Sequence, residues 1–124
     1  KIVQKYPALT CYWPTLLITL NKQKVIPETL TIINNLKAAG YTLYVFSNIG
    51  KQSFEQLRTF HPHVFEPFSG FIYTQPEDGW LQKPHKAAYK KFLKKFNLQP
   101  KEVVFIDDKQ INIDTAREIG FHTI

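Results

Sequence analysis

The stretch Val103-Val104-Phe105-Ile106-Asp107-Asp108 decides the fold of this chain. The run Glu102–Ile106 is rich in β-branched and aromatic residues without alternation, which suits a strand buried on both faces. The two aspartates end it. A helix is expected from about Ile111 to Ile119, closed by Gly120, and Phe121–Ile124 begins a further strand. Strand, helix and strand in this order predict a parallel pair joined by a crossover.

Working back from this unit, the same alternation continues. Tyr89, Phe92, Leu93 and Phe96 recur at i, i+3, i+4 and i+7 on a helix expected to open at Pro84, with lysines on its other side. Phe71-Ile72-Tyr73 is a brief strand followed by the turn-rich Gln75–Gly79. Lys51 to Phe60 reads as a helix stopped by His61-Pro62. Tyr41–Phe46 reads as a strand ending abruptly at Ser47-Asn48-Ile49-Gly50. A further helix runs from Pro27, with Glu28 at its positive end, to Gly40. Residues 1–26 have apolar residues without a clean period and are expected to pack on the domain rather than form its centre. The whole is an α/β domain with a parallel sheet.

Composition bounds the possibilities. The chain has 124 residues, 44% of them hydrophobic and 15% aromatic, enough for one domain with a core and too few for two. Its one cysteine, Cys11, neither pairs within the chain nor builds a zinc site, so a reducing, cytoplasmic setting is expected. No window approaches the roughly 18 apolar residues of a membrane span. The net charge of +6 is concentrated in Lys83, Lys86, Lys90, Lys91, Lys94, Lys95 and Lys101. On a helix whose aromatic residues face the core, such lysines form a solvated face rather than a nucleic-acid track. The chain starts at Lys1 and contains no methionine; it is expected to be a processed chain or a fragment.

Ligands of a parallel α/β sheet bind at the carboxyl ends of its strands. Ser47-Asn48 and Asp107-Asp108 both occupy such ends, and Lys83 lies at the mouth of a loop that can reach the same edge. Taken singly, Ser47 and Asn48 can start a turn, Asp107-Asp108 can cap a helix, and Lys83 can be a surface lysine. Together they describe a magnesium-assisted phosphate site. Two adjacent carboxylates raise each other's proton affinity unless a cation sits nearby. Magnesium needs only one or two carboxylates besides water and phosphate. A hydroxyl, backbone amides and a lysine suit the remaining phosphate oxygens.

Phe46-Ser47-Asn48, Lys83-Pro84 and Val104–Asp108 with Asn112 and Ala116–Gly120 resemble motifs II, III and IV of the haloacid dehalogenase (HAD) superfamily. The resemblance covers Pro27–Ile124 and implies a Rossmann-like three-layer sandwich whose members are usually phosphatases acting through an aspartyl-phosphate. It implies that Ser47 hydrogen-bonds the transferring phosphoryl group with the Asn48 amide close by. Lys83 would neutralise phosphate and nucleophile, Asp107 would bind magnesium directly with Asp108 supporting it, and Asn112 would orient the loop. The acidic pair favours a small phosphorylated metabolite over a carbon–halogen substrate.

Motif I, Asp-x-Asp, is absent: the aspartates are Asp78, Asp107, Asp108 and Asp114. The central strand that carries it in the family is therefore missing from residues 27–124. Nucleophile and strand are expected upstream of Lys1, with residues 1–26 the end of an inserted cap. Without them the chain is expected to be neither catalytically competent nor independently stable. The alternative is a catalytically silent HAD-like binding domain. A phospho-receiver domain fails on length, because too few residues follow Asp114.

Overall fold

A computed structural model describes residues 22–124. Its elements are α1 (Pro27–Ala38), β1 (Tyr44–Gly50), α2 (Lys51–Phe60), the short α3 (Pro62–Phe65) and β2 (Gly70–Thr74), then α4 (Lys86–Phe96), β3 (Val104–Phe105), α5 (Gln110–Ile119) and β4 (His122–Thr123). Of these, residues 22–43 together with Gln52–Ser69 form one compact unit, and Tyr44–Lys51 with Gly70–Ile124 form the other; the expected packing of residues 1–21, Cys11 included, lies outside the described residues.

In the first unit, α1 has Pro27 at its first turn, and Gly40, at φ +88°, follows its end. That conformation suits glycine because a Cβ would crowd the carbonyl. The Tyr41 amide then bonds the Leu36 carbonyl. Tyr41 and Thr42 are thereby kept out of the strand, which begins at Tyr44 rather than Tyr41.

The second unit holds the core. α4 presents Ala88, Tyr89 and Phe92, and α5 presents Ile113 and Ala116, to Ile72, Phe105 and Phe121 of the strands and their flanks. β1 pairs with β2 and β3 with β4, each in parallel. The predicted α/β alternation and parallel pairing are present; among the described residues, no strand joins the two pairs.

Three further expectations differ. β1 does not stop at Phe46 but continues through Ser47 and Asn48 to Gly50. Pro84 does not open a helix; it lies in a turn where the His85 amide bonds the Gln82 carbonyl, and α4 starts at Lys86. The Lys83–Pro84 peptide is cis. The run Glu102–Ile106 is not a strand buried on both faces. Pro100–Glu102 forms a 3-10 turn, in which the Glu102 carboxylate accepts from the Gln99 amide at 2.6 Å. Exposure then alternates, Val104 57%, Phe105 7% and Ile106 61%, because only one face of β3 packs on the core.

No helix among the described residues is long and apolar enough to cross a membrane.

Candidate active site

The carboxyl end of β1 is irregular. Tyr44, Val45 and Phe46 pair in step with Gly70, Phe71 and Ile72, but the next pairing is Gly50 with Thr74. Phe46 to Gly50 thus spans the same length as Ile72 to Thr74, so β1 carries two extra residues. The bulged segment is Ser47-Asn48-Ile49, where the sequence had placed one half of the site. Its polar groups are held by side chains. The Thr74 hydroxyl, on a residue only 5% exposed, donates to the carbonyls of Ile49 at 3.0 Å and Asn48 at 3.3 Å. The Ile49 amide donates to Ser47 Oγ at 3.3 Å.

Asn48 fastens this segment to Lys83. Its Nδ2 donates to the Lys83 carbonyl and its Oδ1 accepts from the Lys83 amide, both at 2.8 Å. A side-chain amide matches a backbone amide and carbonyl in this way because it offers a donor and an acceptor side by side. The Lys83 side chain then runs inward. Its Nζ donates to the Phe46 carbonyl and to Asp107 Oδ2, each at 2.6 Å, and lies 5.1 and 5.3 Å from the ring centroids of Phe46 and Phe105. Both side chains of the Lys83–Asp107 ion pair are buried, 9% and 6% exposed. A buried pair of this kind is sustained only where further hydrogen bonds reach the carboxylate.

Asp107 meets that requirement. Besides Lys83 on Oδ2, its Oδ1 accepts from the Lys109 amide at 3.0 Å and from Asn112 Nδ2 at 2.8 Å. The first bond is an Asx-type turn that leads the chain into α5. Asn112 is itself buried, and its carbonyl accepts from the hydroxyl of the fully buried Tyr89 at 2.9 Å. Burial pushes the Asp107 carboxyl up, but Lys83, Asn112 and the Lys109 amide together hold it below the usual carboxylate range. Burial, with the Asp107 charge nearby, pushes the Tyr89 phenol up to about 12. The cation expected to relieve the acidic pair is thus, at Asp107, the Lys83 ammonium. Asp108 is exposed to solvent.

The residues singled out from sequence therefore fall into two groups. Asn48, Lys83, Asp107 and Asn112 are joined by direct hydrogen bonds, and Ser47 lies in the bulge beside them. Asp108 follows on the outer side. Phe46, Thr74 and Tyr89 were not singled out for the site. Phe46 acts through a backbone carbonyl, which has no sequence signature; Thr74 carries its hydroxyl just past the expected strand Phe71–Tyr73, and Tyr89 on a position that reads simply as core.

The donor set suits magnesium. Among the described residues no group of three or more histidine, cysteine or acidic side chains gathers as a metal cage, but magnesium is held by one or two carboxylates with the rest supplied by water and phosphate. Asp107 and Asp108 offer hard oxygen donors side by side.

Comparison with known proteins agrees with the geometry. The model of the haloacid dehalogenase-like hydrolase family matches residues 9–120, and the chain belongs to that family. It is 31% identical over 90 residues to the sesquiterpene phosphatase astK of Aspergillus oryzae, covering 73% of this chain and 44% of that protein. It is 36% identical over 97 residues to enolase-phosphatase E1 of Methylococcus capsulatus, covering 73% and 40%. It is 32% identical over 100 residues to a glyceraldehyde 3-phosphate phosphatase of Methanocaldococcus jannaschii, covering 79% and 42%. The chain thus spans less than half the length of these relatives. In fold it resembles the L-2-haloacid dehalogenase of Xanthobacter autotrophicus (TM-score 0.71, 19% identity, 84% of this chain and 40% of that one). A HAD family enzyme of Bacteroides thetaiotaomicron, solved as a variant with magnesium and inorganic phosphate, is similarly close (TM-score 0.70, 24% identity, 88% and 58%). These likenesses define a Rossmann-type α/β fold.

Proposed function

We propose that the complete protein is a magnesium-dependent phosphatase acting on a small phosphorylated metabolite through an aspartyl-phosphate. The observation that carries this reading is the Lys83 ammonium, buried at the ends of two strands between the Phe46 carbonyl and the Asp107 carboxylate. An ammonium has three N–H donors. Two are used by these partners, which fixes Nζ in place and leaves one for a phosphate oxygen.

In this reading the Ser47 hydroxyl and the neighbouring amides bind the phosphoryl group, and Lys83 offsets its charge. The phosphatase names of the three relatives support phosphate-ester hydrolysis, as does the acidic pair Asp107-Asp108. Asp107 and Asp108 hold the magnesium. Asp107 has the shorter supply of open lone pairs, since Lys83, Lys109 and Asn112 already bond to it, whereas Asp108 faces solvent. Bound magnesium supplies positive charge against the phosphate oxygens. Asn112 positions Asp107. The nucleophile comes from sequence outside these 124 residues, because none of the four aspartates stands in an Asp-x-Asp pair. Residues 1–26 are then the end of a cap, and 27–124 part of the core domain.

The test is phosphate release by the complete protein and by its Asp107→Asn and Asp108→Asn variants across a magnesium titration. Both variants are expected to lose the magnesium-dependent rate, by about 100-fold or more if each carries a ligand or its support. Wild-type rates in both would refute the assigned roles. A wild type without activity that still binds phosphate would favour a silent binding domain.

A further inference from the structure

Thr74 lies at the end of β2, where the β1 bulge leaves ordinary ladder pairing suspended between Phe46 and Gly50. Its single hydroxyl proton serves two successive carbonyls, those of Ile49 at 3.0 Å and Asn48 at 3.3 Å. In a planar trans peptide, the N–H points opposite to the C=O of the same unit. Drawing both carbonyls toward Thr74 therefore turns the amides of Ile49 and Gly50 away from it. The Ile49 amide meets Ser47 Oγ at 3.3 Å, beyond the usual span of an N–H···O bond. Such a long contact is readily exchanged for a stronger acceptor such as a phosphate oxygen.

We infer that Thr74 is a positioning residue, whose hydroxyl presets the Ser47–Gly50 segment for an anionic phosphoryl group. It is buried and so acts through the segment rather than on the substrate. Serine at this position retains the donor. Valine retains the shape and removes it, leaving two carbonyls to find other partners and the amides opposite them free to turn. The inference rests on the proposed phosphatase reading and adds to it a buried residue that does not itself touch the substrate.

The test compares the complete wild-type protein with Thr74→Ser, Thr74→Cys and Thr74→Val. It measures inorganic phosphate as a competitive inhibitor of phosphomonoester hydrolysis, direct phosphate binding by calorimetry with magnesium present, and the melting temperature. Phosphate affinity is expected to fall in the order of donor strength. Serine should be close to wild type, cysteine intermediate and valine weaker by about tenfold, the equivalent of one hydrogen bond. The serine and cysteine variants keep the series informative if the valine variant fails to fold. Equal phosphate affinity across the series, with only melting temperature changing, would overturn the inference and leave the phosphatase reading standing. A wild type that neither binds phosphate nor hydrolyses the ester would overturn both.

Discussion

At the end of β1 backbone groups are satisfied by neutral side chains, the bulge carbonyls by Thr74 and the Lys83 amide and carbonyl by Asn48, whereas at the end of β3 it is charge that is satisfied, with Asp107 and Lys83 buried against each other. The neutral end tolerates loss of a partner at the cost of one or two hydrogen bonds. The charged end does not, because removing either ion strands the other in a site of low polarity. Lys83 belongs to both: its backbone is gripped by Asn48 and its ammonium by Asp107. The bulge of β1 and the acidic turn of β3 are thereby held in a fixed spacing, as the proposed phosphate site requires.

The strongest way to break this contrast is Lys83→Met. It leaves the buried Asp107 carboxylate unpaired and is expected to destabilise the protein by about 3–5 kcal/mol. The double variant Lys83→Met/Asp107→Asn should recover part of that loss, measured by denaturant unfolding. Equal stability of the single and double variants would show that charge is not what matters there. At the opposite end of the β1–β2 pair, packing rather than polarity is limiting. A Cβ on Gly70 would clash with Phe96 Cε1, on a ring itself 4.2 Å from that of Tyr44. Gly70→Ala should therefore cost about 1–3 kcal/mol through overpacking, read as a lowered melting temperature.

Asn48→Ala tests the neutral end and should cost about 1–2 kcal/mol, since it removes both bonds to the Lys83 backbone. Tyr89→Phe is milder, about 1 kcal/mol for the bond to the Asn112 carbonyl. It also carries a pH signature. The Tyr89 phenol is raised to about 12 in the folded protein, against about 10 in an unfolded chain. Stability from its buried neutral form is thus fully present below pH 10 and lost as pH rises toward 12. The wild type should lose stability over that interval more steeply than Tyr89→Phe, measured by alkaline unfolding.

The smallest effect is expected at Asp78, whose carboxyl is lowered chiefly by its hydrogen bond to Lys91, outweighing partial burial. A lowered carboxyl stabilises above its unfolded value and ceases to do so as pH falls through its folded one. Asp78→Asn should remove about 0.5 kcal/mol near neutrality and almost nothing in strong acid. A constant difference across pH would contradict the ion pair as its source.

The elements legible in advance were those whose periodicity or punctuation is local. α2 was bounded by His61-Pro62, and the apolar stripe of α4 ran through Tyr89, Phe92 and Phe96. The charged half of the site was legible too, because Asp107-Asp108 interrupts an apolar run and Lys83 stands at the mouth of a loop, although Pro84 was misread as the start of a helix. The extent of β1 was not. Ser47 and Asn48 read as the start of a turn, and only pairing with β2, more than 20 residues distant, keeps them extended. The one-sided exposure of Val104 and Ile106 was equally hidden, since an unbroken apolar run carries no mark of which face is covered. Thr74 and Tyr89 reach the site through hydroxyls that make contact 23 to 26 residues away, with backbone carbonyls that any sequence would supply.

The most direct measurement is inorganic phosphate released from a phosphomonoester by the complete protein, with magnesium present and after chelation. The account predicts release that stops on chelation, returns when magnesium is restored, and is absent in Lys83→Met even at temperatures where that variant remains folded. Release unaffected by chelation, or undiminished in folded Lys83→Met, would contradict it.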